Sequence, residues 1–274
     1  MQESIITIIV FFFGAIIGSF LNVVILRYRS GRTLGGRSMC FSCGKTLAWT
    51  ELIPIGSYLT QRGKCAGCRT PISWQYPAVE IATGVVFTFL FFHFKFLFFT
   101  TPLLFAILFI YYGFIFCLLT VLSVYDLKHK ILPDPLSFLF AVVSFIGAWC
   151  ISGNELVLHI PTVWNLLAGI LIPLPFVVLW YASKGRLMGL GDPKLMVGIG
   201  FLLGMSQGIT AVLISFWIGA IVGVLMLIFG SLFSKKSVSM KTAIPFGPFL
   251  VLGTMIVFFA NLNFSNIIGM FGSF

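Results

Sequence analysis

The chain has 274 residues, of which 59% are hydrophobic and 9% charged, with 17 Lys and Arg against 7 Asp and Glu. Several apolar runs approach or exceed the roughly 18–20 residues that cross a hydrocarbon layer about 30 Å thick, which excludes an ordinary water-soluble domain. The net charge of +10 is then assigned to loops facing an anionic cytoplasmic leaflet, not to nucleic acid.

The first predicted span covers residues 5–26. It lacks a basic leading segment and is followed by Arg27, Arg29, Arg32 and Arg37, so it reads as a retained anchor with its N-terminus outside, not as a cleaved signal peptide. These arginines are expected to enforce topology and meet anionic lipid in preference to contacting substrate. Residues 27–76 form the only loop long enough for a separate domain, and they contain Cys40-Phe41-Ser42-Cys43 and Cys65-Ala66-Gly67-Cys68. Four thiols in two short knuckles suit a structural zinc ion, because each turn supplies two soft ligands. Disulfides are the alternative, and a reducing cytoplasm weakens it. Gly44 and Gly67 are expected to relax the two turns, and Lys45, Arg62, Lys64 and Arg69 to offset thiolate charge. A closed four-ligand site leaves no open position for substrate, so the loop is a scaffold or recognition surface.

Further spans are predicted at 77–92, 102–124, 135–151, 162–182, 193–207, 209–230 and 243–261, giving an all-α polytopic membrane protein of about eight helices. Gly198, Gly200 and Gly204 in the short sixth span indicate close packing inside a bundle. Cys117 and Cys150 are expected to be small buried hydrophobes, and the repeated phenylalanines to be lipid-facing or packing groups. The loops at 27–76, 125–134, 183–192 and 231–242, with Lys194, hold 16 of the 17 basic residues, and the opposite set holds only Lys95. Both termini are therefore expected outside the cytoplasm, with Asn261, Asn263 and Asn266 past the last span. The organisation reads as an anchor helix over 1–26, a cytoplasmic cysteine domain over 27–76 and a seven-helix core over 77–274.

Chemistry is expected at the three aspartates, Asp126, Asp134 and Asp192, which sit where apolar runs meet basic loops. His93, His129 and His159 form no metal-binding motif, and no serine or cysteine nucleophile has a base partner. Asp134 before Pro135 and Asp192 before Pro193 match helix N-caps followed by proline. Asp126 has no such explanation. Gly189 and Gly191 would let the start of the sixth span approach another helix, bringing Asp192 toward Asp126. Two neighbouring carboxylates repel when both are ionised, so such a pair can share one proton and act on water and a peptide carbonyl without a catalytic metal.

Together with Gly18-Ser19-Phe20-Leu21-Asn22-Val23, the two cysteine pairs and the segment from Ile72 to Glu80, both aspartate motifs make the chain resemble the prepilin peptidases over nearly its whole length. These are membrane aspartyl proteases. The family's glycine-x-glycine-aspartate signature falls on Gly189, Gly191 and Asp192, and its other catalytic aspartate falls on Asp126; Asp134 matches a less catalytic position. Gln75 stands where a basic residue is common. The resemblance implies, as substrates, type IV prepilins or pseudopilins, cut after glycine to release a basic leader at the cytoplasmic face of the inner membrane. It also implies S-adenosylmethionine-dependent methylation of the new N-terminus, associated with the cysteine loop, to which Gly63 and Glu80 are candidate contributors. No Rossmann-like core locates the methyl donor, and a peptidase without methyl transfer is the alternative. For Glu80 itself, the plainer expectation is a carboxylate fastening the second span to a basic neighbour. Two other classes remain at this point: a transporter, against which the one-sided clustering of charge argues, and a zinc-stabilised assembly or lipid-binding protein, which would leave precursors uncut.

Overall fold

A computed structural model of the chain describes residues 2–29, 33, 35–153, 155–186, 188–233 and 245–264. Arg32, residues 234–242 with Lys235, Lys236 and Lys241, the start of the last predicted span and Asn266 lie outside the described residues. The chain divides into two compact units, Met1–Val121 and Leu122–Phe274.

In the first unit, α1 (Gln2–Arg27) packs against α3 (Gln75–Thr100). The contact is antiparallel and runs through glycine: a Cβ on Gly14 would stand 2.9 Å from the Gly84 Cα, and one on Gly18 would stand 2.9 Å from the Glu80 Cα. Side-chain loss at these positions is what allows the backbones to approach this closely. Glu3 and Lys95 pair at 2.8 Å at the other end of the same two helices. Between them lie the cysteine knuckles, a 3-10 turn at Trp49–Leu52 and the short α2 (Gly56–Thr60). The helix α4 (Pro102–His129) follows α3 after Thr101 alone. The expected loop over 93–101 is therefore mostly helix, because its phenylalanines continue the apolar run and Pro102 is well suited to open the next helix.

The second unit holds the end of α4 and then α5 (Asp134–Cys150), α6 (Val163–Leu171), α7 (Leu174–Ser183), α8 (Gly191–Phe233) and α9 (Gly247–Ala260). Two-residue strands β1 (Ile151–Ser152) and β2 (Glu155–Leu156) pair antiparallel between α5 and α6, a small departure from an all-α reading. The expected span 162–182 is interrupted at Ile172 and Pro173, where proline lacks the N–H that would continue the ladder. The sixth and seventh predicted spans are one helical run, broken at Gly204 and not at residue 208. Gly204 has φ 74°, and a Cβ there would sit 2.7 Å from the Asn165 Oδ1 of α6; only glycine meets both demands cheaply. The expected close packing of the sixth span is present, since Gly198 lies against the Phe140 ring and Gly200 against the Ala168 carbonyl.

Among the described residues, five helical stretches are long and apolar enough to cross a membrane: Glu3–Arg27, Gln75–Thr100, Pro102–His129, Val163–Ser183 and Gly191–Ile228. Asp134–Cys150 and Gly247–Ala260 are apolar and shorter.

Candidate active site and metal centre

The metal centre is built from two copies of one turn. In the first, the Cys40 N–H donates to the Lys45 carbonyl and the Gly44 N–H to the Cys40 carbonyl; in the second, Cys65 donates to Thr70 and Arg69 to Cys65. Bridges Met39↔Thr46 and Lys64↔Pro71 close the two turns in the same register. Each needs a left-handed residue at its fifth position, supplied by Gly44 (φ 72°) and by Arg69 (φ 57°). Gly67 is not left-handed. It is small because a Cβ would meet the Lys45 Cδ at 3.2 Å and the Cys43 Sγ at 3.7 Å, so it fits one knuckle beneath the other.

The four Sγ atoms all lie within 4.8 Å of one another, and Cys40 and Cys68 are 3.8 Å apart. A tetrahedral site with metal–sulfur bonds of about 2.3 Å has sulfur–sulfur edges of about 3.8 Å, so the cluster can hold a metal ion. No cysteine in it forms a disulfide. The Thr70 hydroxyl, 3.1 Å from the Cys68 Sγ, and the Thr70 backbone hold that thiol down at about 6. Lys45 stands beside the thiols, where its charge bears on Cys43 and Cys65, and also pairs with Glu51 at 2.9 Å, while Glu51 accepts the Ala48 N–H at 2.8 Å. These two bonds keep the Glu51 carboxyl below its usual range. Gly63 has a local reason: φ is 66°, and a Cβ would lie 3.0 Å from the Tyr58 hydroxyl oxygen. Glu80 is buried and accepts the Ile55 N–H at 2.6 Å. Among the described salt bridges it has no basic partner, so it fastens α3 to loop backbone and not to the expected cation.

The aspartate site lies within the second unit and draws on three helix ends. Asp126 belongs to the last turn of α4, which extends five residues beyond the predicted end of its span, to His129, before Lys130 takes a left-handed φ of 55°. Its side chain is 5% exposed, and its Oδ2 accepts the Gly247 N–H at 3.0 Å. Gly247 opens α9 and is followed by Pro248. A Cβ on Gly247 would stand 2.7 Å from the same Oδ2, so only glycine permits this contact undisturbed. Asp192 lies in the first turn of α8, half-buried. Helix α8 begins at Gly191, so Asp192 is past the cap position, and no hydrogen bond to its carboxylate is found among the described residues. Capping does not account for it.

Two further ties hold the loop after α4 to the start of α8. Leu132, itself buried, covers Gly191, where a Cβ would come within 3.0 Å of the Leu132 Cβ. Asp134 pairs with Lys194 at 2.7 Å. Asp134 is not the expected cap: Pro133 occupies that position, and no side-chain bond is made to the helix start. Gly189 is exposed, and a Cβ there would meet nothing nearer than 4.0 Å. Sequence reasoning overlooked Gly247, Leu132 and Lys194. The run Pro245-Phe246-Gly247-Pro248 at the mouth of an apolar helix was the available signal for the first of them.

The matched family models are the bacterial peptidase A24 N-terminal domain, over residues 12–94, and the type IV leader peptidase family, over residues 113–224. Curated relatives carry the name prepilin leader peptidase/N-methyltransferase. The one from Xanthomonas campestris pv. campestris is 30% identical over 90% of this chain and 88% of its own length. That from Bacillus subtilis is 30% identical over 91% and 92%, and that from Legionella pneumophila 34% over 81% and 72%. No solved structure matches the chain.

Proposed function

The chain belongs to the type IV leader peptidase family, and from that membership we propose that it is a membrane aspartyl endopeptidase. It cuts type IV prepilins or pseudopilins after glycine, releasing the basic leader at the cytoplasmic face of the inner membrane. Asp126 and Asp192 are the catalytic pair. The observation that carries this assignment is the buried Asp126 carboxylate, held through one oxygen by the Gly247 N–H, with the start of α8 that carries Asp192 tied to the loop after α4 through Leu132 and the Asp134–Lys194 pair.

The pair works with one shared proton. One carboxylate takes a proton from water as its oxygen attacks the scissile carbonyl, and the other carboxyl gives its proton to the carbonyl oxygen. Collapse of the tetrahedral intermediate breaks the carbon–nitrogen bond, and a proton passes to the leaving amine. No metal takes part in these steps. Gly191 supports the arrangement by admitting Leu132, and the open space at Gly189 leaves room beside Asp192.

Cys40, Cys43, Cys65 and Cys68 hold one structural zinc ion, which would cross-link the two knuckles. S-adenosylmethionine is the methyl donor for a second activity, N-methylation of the new terminal residue. The domain organisation is 1–26, 27–76 and 77–274. Counting α6 with α7 as one crossing and the two sides of Gly204 as separate crossings, the membrane is spanned eight times with both termini outside. The 27–76 domain and both aspartates then face the cytoplasm, and the surrounding lipid delivers the precursor's apolar helix laterally.

Mass spectrometry of a prepilin incubated with purified protein, with and without methyl donor, tests the reading. Cleavage in both samples and methylation only with donor are expected. Cleavage with persistently unmethylated product leaves a peptidase alone, and an uncut precursor rejects the assignment.

A further inference from the structure

The segment between the two cysteine knuckles, with Trp74 stacked on it, exposes large apolar side chains that the peptidase reading does not use. Trp49 is 78% exposed and Leu59 68%; Leu52 and Ile53, between them in the chain, and Trp74, beyond the second knuckle, are exposed as well. Trp74 stacks on Tyr58 of α2 with ring centroids 5.6 Å apart. A water-facing loop has no reason to expose two indoles and three large aliphatic side chains.

What covers these side chains follows from their depth. The helix α3 has 26 residues, or about 39 Å, which exceeds a hydrocarbon core of about 30 Å by roughly three residues at each end. Glu80 is the sixth residue of that helix, so its Cα lies about 3 Å inside the core boundary by the helical rise. Helical side chains lean toward the N-terminus, which returns its carboxylate to the level of that boundary. The Ile55 N–H reaches it there at 2.6 Å. Ile55 is a β-branched residue at φ 61° and ψ −50°, a strained conformation that persists only when its surroundings impose it. The segment is thus pinned beside the membrane helix at the depth of the headgroup and acyl-chain junction.

We propose that residues 49–59, together with Trp74, form an interfacial anchor whose apolar side chains are inserted into the leaflet in which α3 begins, with anionic phospholipid as its partner. Indole rings favour this level of a bilayer, with their apolar bodies among the chains and the ring N–H toward water. Charge agrees with it. Over residues 35–76 the cations are Arg37, Lys45, Arg62, Lys64 and Arg69 and the only acidic residue is Glu51, whose partner is Lys45. Arg62, Lys64 and Arg69 are exposed in the same loop and suit a negative leaflet surface.

The test uses the full chain, labelled with 5-fluorotryptophan and reconstituted in vesicles of phosphatidylethanolamine and phosphatidylglycerol. The Trp49 resonance is assigned by its disappearance in Trp49→Phe. The expected result is loss of that signal with a nitroxide on the upper acyl chain of the lipid, and its survival with a water-soluble gadolinium chelate. Trp217, 68% exposed in α8, is the reference for a lipid-facing ring. Loss to the chelate with survival against the lipid nitroxide would overturn the proposal, as would protection from both agents. Protection from the lipid nitroxide on addition of a prepilin would assign these side chains to substrate and overturn it too. The same spectra can be taken on Asp126→Asn protein, so an error in the peptidase assignment leaves this readout intact.

Discussion

The four cysteines come from a stretch in which Cys40 and Cys68 are 28 residues apart, whereas the aspartate site joins Asp126 to a backbone N–H 121 residues away. The cysteine cluster repeats one local turn, with the same backbone bonds and the same left-handed fifth residue. Each knuckle presets two ligands before any long-range contact forms. The aspartate site has no such local plan: it exists only where the ends of α4, α8 and α9 meet, and glycines at two of those ends allow the approach. Damage to the first should therefore be graded and partly separable from chemistry, and damage to the second should be catalytic before it is structural.

The strongest test of that contrast is Asp126→Asn or Asp192→Asn. Each removes a group that exchanges protons while keeping its size, and cleavage should fall by on the order of 10³-fold or more, with the thermal midpoint nearly unchanged. A folded variant with near-normal turnover would remove that residue from the pair. The unaltered protein should lose rate on both sides of a pH optimum, because a pair sharing one proton is disabled by gaining or by losing one; a rate independent of pH would contradict the sharing.

Gly247→Ala should come next, lowering kcat by roughly 10²-fold with little change in KM, since small misplacements of reacting groups are this costly. Gly253→Ala is the companion variant. A Cβ there would press on the Ala211 carbonyl at 2.5 Å but touches neither aspartate, so it should lower the melting temperature while the rate per folded molecule stays closer to normal. Equal kcat losses at equal stability in the two variants would show that helix packing, not the carboxylate contact, sets the rate.

Cys43→Ser or prolonged chelation should reduce zinc from about one ion per chain, as measured by elemental analysis. Peptide cleavage should persist in protein whose helical bundle stays folded, and methylation measured in parallel would show whether the knuckles support it. Cleavage that disappears and returns with metal alone would erase the distinction between scaffold and active site. The smallest effect belongs to Asp134→Asn or Lys194→Ala: the pair is exposed on both sides, and such contacts contribute about 1 kcal/mol or less. Loss of activity matching Asp126→Asn would move this pair into the reaction.

The same contrast explains what was legible in the sequence. Cysteine spacing announces its geometry because the ligands and the turn that carries them are neighbours in the chain. Asp126 and Asp192 were readable as residue types at helix boundaries, and the close packing at Gly198, Gly200 and Gly204 followed from glycine density. Gly247 was missed because its role lies in a hydrogen bond to a distant residue, which no local pattern encodes. The Asp134 cap failed for a related reason, since a local preference for proline-associated capping lost to a long-range cation, Lys194. Span boundaries erred where polar residues continue a helix, as at residues 125–129, and where glycine or proline breaks one, as at Gly204 and Pro173.

The bond between Asp126 and Gly247 also bears on biosynthesis. Both aspartates leave the ribosome well before Gly247 does, at about 5–20 residues per second, so a nascent chain carries its two acidic groups for several seconds without the amide that orients one of them. Chains abandoned before α9 is made would lack the Gly247 N–H and should cleave more slowly than the full chain. The orientation of Asp126 therefore depends on a helix made after both aspartates.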